Sequence, residues 1–169
     1  MYPSLRLKKH EDRRLRSGHA WVYSNEVDVK QSPLGNFEPG DVVQVEDARG
    51  KPLGMASVNP ATLICARLYS RRVPQALDQA FLVKRLRQAL ALRELAFTQP
   101  FYRLVYGESD GLPGLVVDRF DAVLVIAKPG QRINVGVFSQ ASIEFEQPLI
   151  FYQRPGMDAQ QSFCCHDAR

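Results

Sequence analysis

Basic side chains are concentrated in two blocks of this sequence, and both blocks could bind phosphate groups. Residues 1–19 carry six basic and two acidic residues, and residues 67–93 carry seven and one. Lys and Arg pair with phosphates, while His and Trp rings can stack on unpaired bases, as His19 and Trp21 could. The two blocks predict RNA contacts for the following residues: Lys8, Lys9, Arg13, Arg14, Arg16, His19, Arg71 and Arg72.

The local charge of these blocks is larger than the total charge suggests. The chain has a formal net charge of +4, but residues 20–66 and residues 94–169 each carry a net charge of −3. A polyanion responds to the charge within a Debye length of about 8–10 Å, so it would meet the local excess. A solvated surface without a partner is the alternative, and it is favoured for Lys84 and Arg87 on a predicted helix.

Three glycines, Gly107, Gly111 and Gly114, do not form a nucleotide-binding loop. Their spacing differs from G-x-G-x-x-G, and no Lys-Ser/Thr pair follows them. A strand rather than a helix comes next, whereas phosphate-binding loops open a helix. We expect the glycines to turn the backbone, and we expect Glu108 and Asp110 to cap this loop rather than act as an acid/base pair.

The chain offers no complete set of catalytic or metal-binding residues. Two of its three cysteines are adjacent, at Cys164 and Cys165, and neighbouring cysteines rarely chelate one zinc ion. Cys65 lies in a predicted strand, where a small buried side chain is typical. His10 and His19 have no Ser or Cys partner, so we predict no catalytic residue and no metal.

The hydrophobic pattern predicts the scaffold that positions these side chains, and its fold class is α+β. Short strands separated by Gly and Pro favour a small β-barrel in the first 70 residues. A helical turn over residues 11–17, ended by Gly18, is expected to carry the first basic block. The strands are expected at residues 5–7, 19–23, 41–46, 51–58 and 63–69.

A change in composition near residues 70–74 separates this barrel from a second unit. Residues 76–97 contain neither Gly nor Pro and predict one long helix, with Asp78 in its first turn. At 100° per residue, the helix should have one apolar face made of these residues: Leu82, Val83, Leu86, Ala89, Leu90 and Phe97. Three strands follow, at residues 101–106, 114–118 and 121–126. After Ala127 the pattern is weak, and we expect residues 153–169 to be loose.

The composition also predicts a compartment. No apolar run approaches the roughly 20 residues that span a bilayer, and the first residues lack the apolar core of a signal peptide. Three cysteines cannot build a disulfide framework, which agrees with a reducing environment. We therefore expect a cytoplasmic protein without membrane contact.

Three strings of residues resemble one known family. GHAWVYSNE at residues 18–26 resembles the signature G-H-x-W-[IV]-[FY]-x-x-E, and EDARGKPLG at residues 46–54 resembles the hairpin that follows it. YRLVYGESDGLPGLVVDR at residues 102–119 resembles the block R-L-V-x-G-E-x-D-x-L-P-G-L-[IV]-V-D-R. The family is that of ribosomal RNA large-subunit methyltransferase I, which makes 5-methylcytosine with S-adenosylmethionine.

This resemblance implies a PUA-like RNA-binding domain, a small β-barrel, over residues 1–72. It implies a small, truncated α+β linker domain over residues 73–127, and ribosomal RNA of the large subunit as the partner. S-adenosylmethionine is implied for the full-length family, but the cofactor loop and the catalytic cysteine have no match here, so we expect no cofactor in this chain. A homodimer stays open.

The resemblance stops at Lys128. We hypothesise a frameshifted or truncated family member with an atypical, disordered tail over residues 128–169. The predicted function is the RNA-binding N-terminal portion of a 23S rRNA (cytosine-5) methyltransferase. The alternatives are a complete small enzyme with an unrecognised active site and an inert fragment without RNA affinity.

Overall fold

The computed structural model describes residues 2–127 and the backbone of a short strand at Asn134–Val137. The first unit is a single sheet of five short strands, as the alternation of apolar residues predicts. Its strands are β1 (Ser4–Arg6), β2 (Trp21–Tyr23), β3 (Val42–Glu46), β4 (Pro52–Val58) and β5 (Ile64–Ser70).

This sheet is curled, with the strand order β1-β3-β4-β5-β2. Only β1 and β3 are parallel, and Leu5 lies opposite Val45 in that pair. The two edges approach each other, because Leu7 pairs with Val27 in an antiparallel bridge just beyond β1 and β2. The predicted small barrel is therefore observed as a curled five-stranded sheet whose edges are bridged at one point.

Side chains on the concave side of the sheet form its core. Val43 and Val45 of β3 are fully buried, as the period of two in this strand predicts. Leu5 and Leu15 join the same cluster, so the helical turn after β1 is anchored in the core of the sheet. That turn is α1 (Arg13–Arg16), and it ends before Gly18, whose φ of 111° suits glycine.

The second unit contains one long helix and one antiparallel sheet. The helix is α2 (Gln79–Ala96), and the carboxylate of Asp78 accepts a hydrogen bond from the Phe81 amide at its N-terminus. The sheet has the order β6-β7-β8-β9. Its strands are β6 (Phe101–Tyr106), β7 (Val116–Phe120), β8 (Val123–Ala127) and β9 (Asn134–Val137).

Strand β9 belongs to the segment 128–169, for which the sequence predicts no element, and it pairs with β8. The rest of that segment lies outside the described residues. No helix in the described part of the chain is long and apolar enough to span a bilayer.

Helix α2 packs against its sheet through a narrower face than the sequence predicts. Phe81 and Ala89 are buried, but Leu82 and Phe97, which share the predicted apolar face, are 36% and 49% exposed. Phe97 stacks on Tyr102 of β6, with ring centroids 5.3 Å apart. Leu86 and Leu90 of the predicted face are partly buried against the cluster that contains Phe81 and Ala89.

The two units share buried residues. Met55 of β4 and Tyr69 of β5 are buried in the cluster that contains Phe81 and Tyr102 of the second unit. The Tyr69 and Phe81 rings meet edge to face, with centroids 5.4 Å apart. Burial raises the pKa of the Tyr69 hydroxyl to about 12, and this hydroxyl donates a hydrogen bond to the Gln75 carbonyl.

Candidate nucleic-acid interface

Helix α1 carries the basic side chains of the first block. A helix of four residues is too short to be stable alone, so contacts with the rest of the protein must hold it. Leu15 supplies one such contact, because its side chain is buried in the core of the first sheet. Arg13 and Arg16, on either side of Leu15, are exposed.

Two arginines of α1 are held by acidic residues. Arg14 Nη1 lies 3.0 Å from Glu26 Oε1, and its guanidinium lies 4.6 Å from the centroid of the Tyr23 ring. Arg16 Nη2 lies 2.8 Å from Asp47 Oδ2, and its Nε also pairs with Asp12. These two side chains are therefore fixed in position and partly neutralised.

The carboxylates beside Arg16 are ionised at neutral pH. A hydrogen bond from Arg16 lowers the pKa of the Asp12 carboxyl. The Lys51 amide, followed by the Arg49 amide and the charge of Arg16, lowers the pKa of Asp47. The hydrogen bond with Asp12 in turn raises the pKa of the Arg16 guanidinium.

Arg71 brings the two basic blocks together. Its Nη1 donates to the Leu15 carbonyl at 2.7 Å, and its Nη2 donates to the His19 carbonyl at 3.1 Å. These are carbonyls in and just after the last turn of α1, and the Leu15 carbonyl also accepts a hydrogen bond from the Gly18 amide at 3.1 Å. A residue that follows β5 thus reaches 56 and 52 positions back along the chain.

The other predicted RNA contacts lie at the surface. Lys8 is exposed, and its Nζ donates to the Asn25 carbonyl at 2.7 Å. Lys9, Arg13 and Arg72 are also exposed, and their side chains have no hydrogen bond or ion pair within the described residues. His19 is exposed as well. We use the name basic surface for the eight predicted residues together: Lys8, Lys9, Arg13, Arg14, Arg16, His19, Arg71 and Arg72.

Sequence reasoning missed a contact between the two units. Trp21 of β2 donates through Nε1 to Glu108 Oε1 at 2.9 Å, and Arg67 Nε of β5 donates to the same oxygen at 3.1 Å. Glu108 was expected to cap its own loop, and that expectation was wrong because its carboxylate reaches the first sheet instead. Asp110 does cap the loop, since it accepts a hydrogen bond from the Tyr106 amide at 2.7 Å.

The remaining sequence motifs have structural roles. Gly107, Gly111 and Gly114 all have positive φ, at 52°, 68° and 74°, which confirms that they turn the backbone. Cys65 is buried, as predicted, and burial raises the pKa of its thiol to about 11. Such a thiol is protonated at neutral pH and is a poor nucleophile. Among the described residues, no group of three or more His, Cys, Asp or Glu side chains could hold a metal ion.

Sequence comparisons identify the type of domain that the first unit forms. A family model described as a PUA-like domain matches residues 5–71. Ribosomal RNA large subunit methyltransferase I from Salmonella arizonae is 38% identical over 128 residues, which are 74% of this chain and 31% of that protein. The protein of the same name from Erwinia tasmaniensis is 38% identical over 123 residues, or 71% of this chain and 30% of its own.

The resemblance drawn from the sequence motifs is thus confirmed, for the N-terminal part of the chain. The chain spans about a third of the length of these curated relatives.

Solved structures show the same fold. A candidate SAM-dependent methyltransferase from Streptococcus mutans superposes with a TM-score of 0.58 at 16% identity, over 84% of this chain and 34% of that one. A candidate methyltransferase crystallised with SAH gives a TM-score of 0.59, also at 16% identity and over the same shares.

Proposed function

We propose a function from two similarities of this chain. It carries a PUA-like domain, and its N-terminal three quarters are similar to ribosomal RNA large subunit methyltransferase I. The chain is the RNA-binding portion of a SAM-dependent 23S rRNA (cytosine-5) methyltransferase. Its partner is ribosomal RNA of the large subunit, and it works in the cytoplasm. S-adenosylmethionine is the cofactor of the full-length methyltransferase. Methyl transfer from it is a step separate from RNA binding.

One observation supports this proposal: Arg71, of the second basic block, donates hydrogen bonds to carbonyls at the end of the helix that carries the first block. Arg71 donates to the Leu15 and His19 carbonyls at the end of α1, the helix that carries the exposed Arg13. Residues far apart in the sequence therefore bring cations of both basic blocks to the end of α1. Phosphate groups of an RNA strand recur along its length, and a surface with several cations is suited to contact more than one of them.

The pairing of the individual side chains supports the same conclusion. Arg14 and Arg16 are neutralised by Glu26, Asp12 and Asp47, whereas Lys9, Arg13 and Arg72 have no acidic partner within the described chain. When unpaired cations neutralise phosphates, the counterions condensed on the RNA are released, and this release drives RNA binding. His19 adds an exposed ring that can stack on a base.

Two charge-reversal variants test the proposal. Arg13→Glu changes a residue of the basic surface, and Lys84→Glu makes the same change of charge on the exposed side of α2. RNA binding is measured for both by fluorescence anisotropy with a labelled fragment of large-subunit rRNA at about 0.1 M salt. Arg13→Glu removes one phosphate contact and adds a repulsion, so we expect it to weaken binding about tenfold or more.

Lys84→Glu is expected to change the affinity by less than about threefold, because Lys84 is an exposed residue outside the basic surface and salt screens its charge. Equal losses in the two variants would contradict the proposal, since they would mean that RNA responds only to total charge. Absence of RNA binding by the unaltered chain would favour the inert fragment.

A further inference from the structure

A polar contact between the two units involves the single tryptophan of this chain. Trp21 and Arg67 lie directly opposite each other on β2 and β5 and face away from the core of the sheet. Glu108, in the loop after β6, places one carboxylate oxygen 2.9 Å from Trp21 Nε1 and 3.1 Å from Arg67 Nε. Both donors therefore converge on a single anionic oxygen.

This contact stays open to solvent. Trp21 is 39% exposed, and the side chains of Arg67 and Glu108 are 31% and 30% exposed. Exposed ion pairs contribute little to stability, because water competes for both charges. The buried contact between Tyr69 and Phe81 already joins the two units. The fold therefore does not depend on the Glu108 carboxylate, and an anion from solution can reach the same donors.

The two donors suit a phosphate oxygen of RNA. A guanidinium and an indole N–H both donate to anionic oxygens, and the partly exposed indole ring offers a surface on which a base can stack. A free phosphate could use the donors but not the ring, so the pair as a whole favours a nucleotide of an RNA strand.

The pair is also continuous with the basic surface. The strand β2 begins two residues after His19, and β5 ends next to Arg71, whose Nη2 donates to the His19 carbonyl. At about 3.3 Å per residue, Trp21 lies roughly 7 Å along the chain from His19. An RNA strand bound to the basic surface could thus extend along these two strands to Trp21 and Arg67.

We infer that Trp21 and Arg67 form a nucleotide subsite that Glu108 occupies in the RNA-free protein. A phosphate of the RNA backbone displaces the Glu108 carboxylate, pairs with Arg67, and lets a base stack on Trp21. This inference rests on the proposed RNA-binding function and extends the interface to the seam between the two units. Glu108 then competes with the RNA phosphate for Trp21 and Arg67 and lowers the affinity of this subsite for RNA.

The test combines Trp21 fluorescence with a cycle of variants. Because the chain has one tryptophan, its emission reports this subsite directly, and stacking of a base is expected to quench it. Glu108→Gln keeps the size of the side chain and removes the charge that holds Arg67. We expect it to tighten RNA binding about two- to fivefold, the range that one exposed ion pair corresponds to.

Two controls separate this effect from a general change of charge. Glu94→Gln removes one negative charge from the exposed side of α2 and is expected to change the affinity less than Glu108→Gln does. In the Arg67→Gln background, the gain from Glu108→Gln is expected to disappear, because the competitor then has no cation to release. Inorganic phosphate has no base, so it is expected not to quench the Trp21 emission, and quenching by phosphate alone would overturn the assignment of a stacked base.

The outcomes distinguish this inference from the proposed function. RNA binding that leaves the Trp21 emission unchanged, or a gain in Glu108→Gln that persists in the Arg67→Gln background, would overturn the subsite alone. A loss of stability in Glu108→Gln without any gain in affinity would overturn it as well and would make Glu108 a structural link. Absence of RNA binding by the unaltered chain would overturn the inference together with the proposed function.

Discussion

Adjacent arginines, Arg71 and Arg72, are expected to do different work, although the sequence predicts RNA contacts for both. Arg71 donates to the carbonyls of Leu15 and His19 at 2.7 and 3.1 Å, whereas the Arg72 side chain has no partner within the described residues. We therefore predict that Arg71→Ala lowers the free energy of unfolding and that Arg72→Ala leaves it nearly unchanged.

The size of the effect follows from the two hydrogen bonds. A hydrogen bond from a charged donor contributes about 1.5–3 kcal/mol when buried. Arg71 is exposed, so its two bonds together are expected to contribute only about 1–3 kcal/mol. With a urea m-value of about 2 kcal/mol/M, the midpoint of unfolding should fall by about 0.5–1.5 M. Replacing Arg72, a surface residue, should change the free energy of unfolding by less than about 0.5 kcal/mol.

Urea unfolding followed by circular dichroism measures this difference, and Arg71→Lys refines it. Lysine keeps the charge but has no fork of donors to bridge two carbonyls, so Arg71→Lys should lose most of the stability that Arg71→Ala loses. Arg72→Ala should instead flatten the salt dependence of RNA binding. Equal urea midpoints for Arg71→Ala and Arg72→Ala would refute the stabilising role of the two hydrogen bonds that Arg71 donates.

Three further predictions concern stability and reactivity. The pKa of the Asp47 carboxyl is lowered in the folded protein, so ionised Asp47 stabilises the fold above the unfolded pKa of about 4. This stabilisation is lost as the pH falls further. The urea midpoint should therefore drop less between pH 5 and pH 3 in Asp47→Asn than in the unaltered chain. Cys65, with a thiol pKa of about 11, should resist alkylation by iodoacetamide at pH 8 until urea unfolds the protein. Peptide mapping measures this, and rapid labelling of Cys65 in the folded protein would contradict its burial. Gly111→Ala should lower the free energy of unfolding by about 1–2 kcal/mol, because Gly111 has a φ of 68° and the Arg85 side chain lies 3.0 Å from an added Cβ. Gly35→Ala is the control, because Gly35 has open space and an ordinary φ. Equal urea midpoints for the two variants would contradict this argument.

Local elements of this fold could be predicted from the sequence because local patterns determine them. The alternation of Val43 and Val45 predicted β3, and Gly18 predicted the end of α1. Residues 76–97, without Gly or Pro, predicted α2, although the helix begins only at Gln79, after the cap that Asp78 provides. Each of these signals lies within a few residues of the element that it predicts.

The pairing of side chains at the interface could not be predicted, because it depends on contacts between distant parts of the chain. The basic composition identified Arg14 and Arg71 but gave no sign that Glu26 would neutralise the first or that backbone carbonyls would hold the second. Glu108 meets Trp21 across 87 residues, and its local turn signals favoured a cap instead. Such a long-range contact can be predicted only when the folds of both units are known.

The salt dependence of RNA binding tests the central claim most directly. The chain and the triple variant Lys9→Ala/Arg13→Ala/Arg72→Ala would be titrated with a single-stranded fragment of large-subunit rRNA between 0.05 and 0.5 M salt. Each phosphate contact contributes about 0.7 to the slope of log K against log salt, so the variant should have a slope that is smaller by about 2. Its affinity should then differ from that of the unaltered chain far more at low salt than at high salt. Identical slopes for the two proteins would contradict the claim that these three side chains contact phosphates.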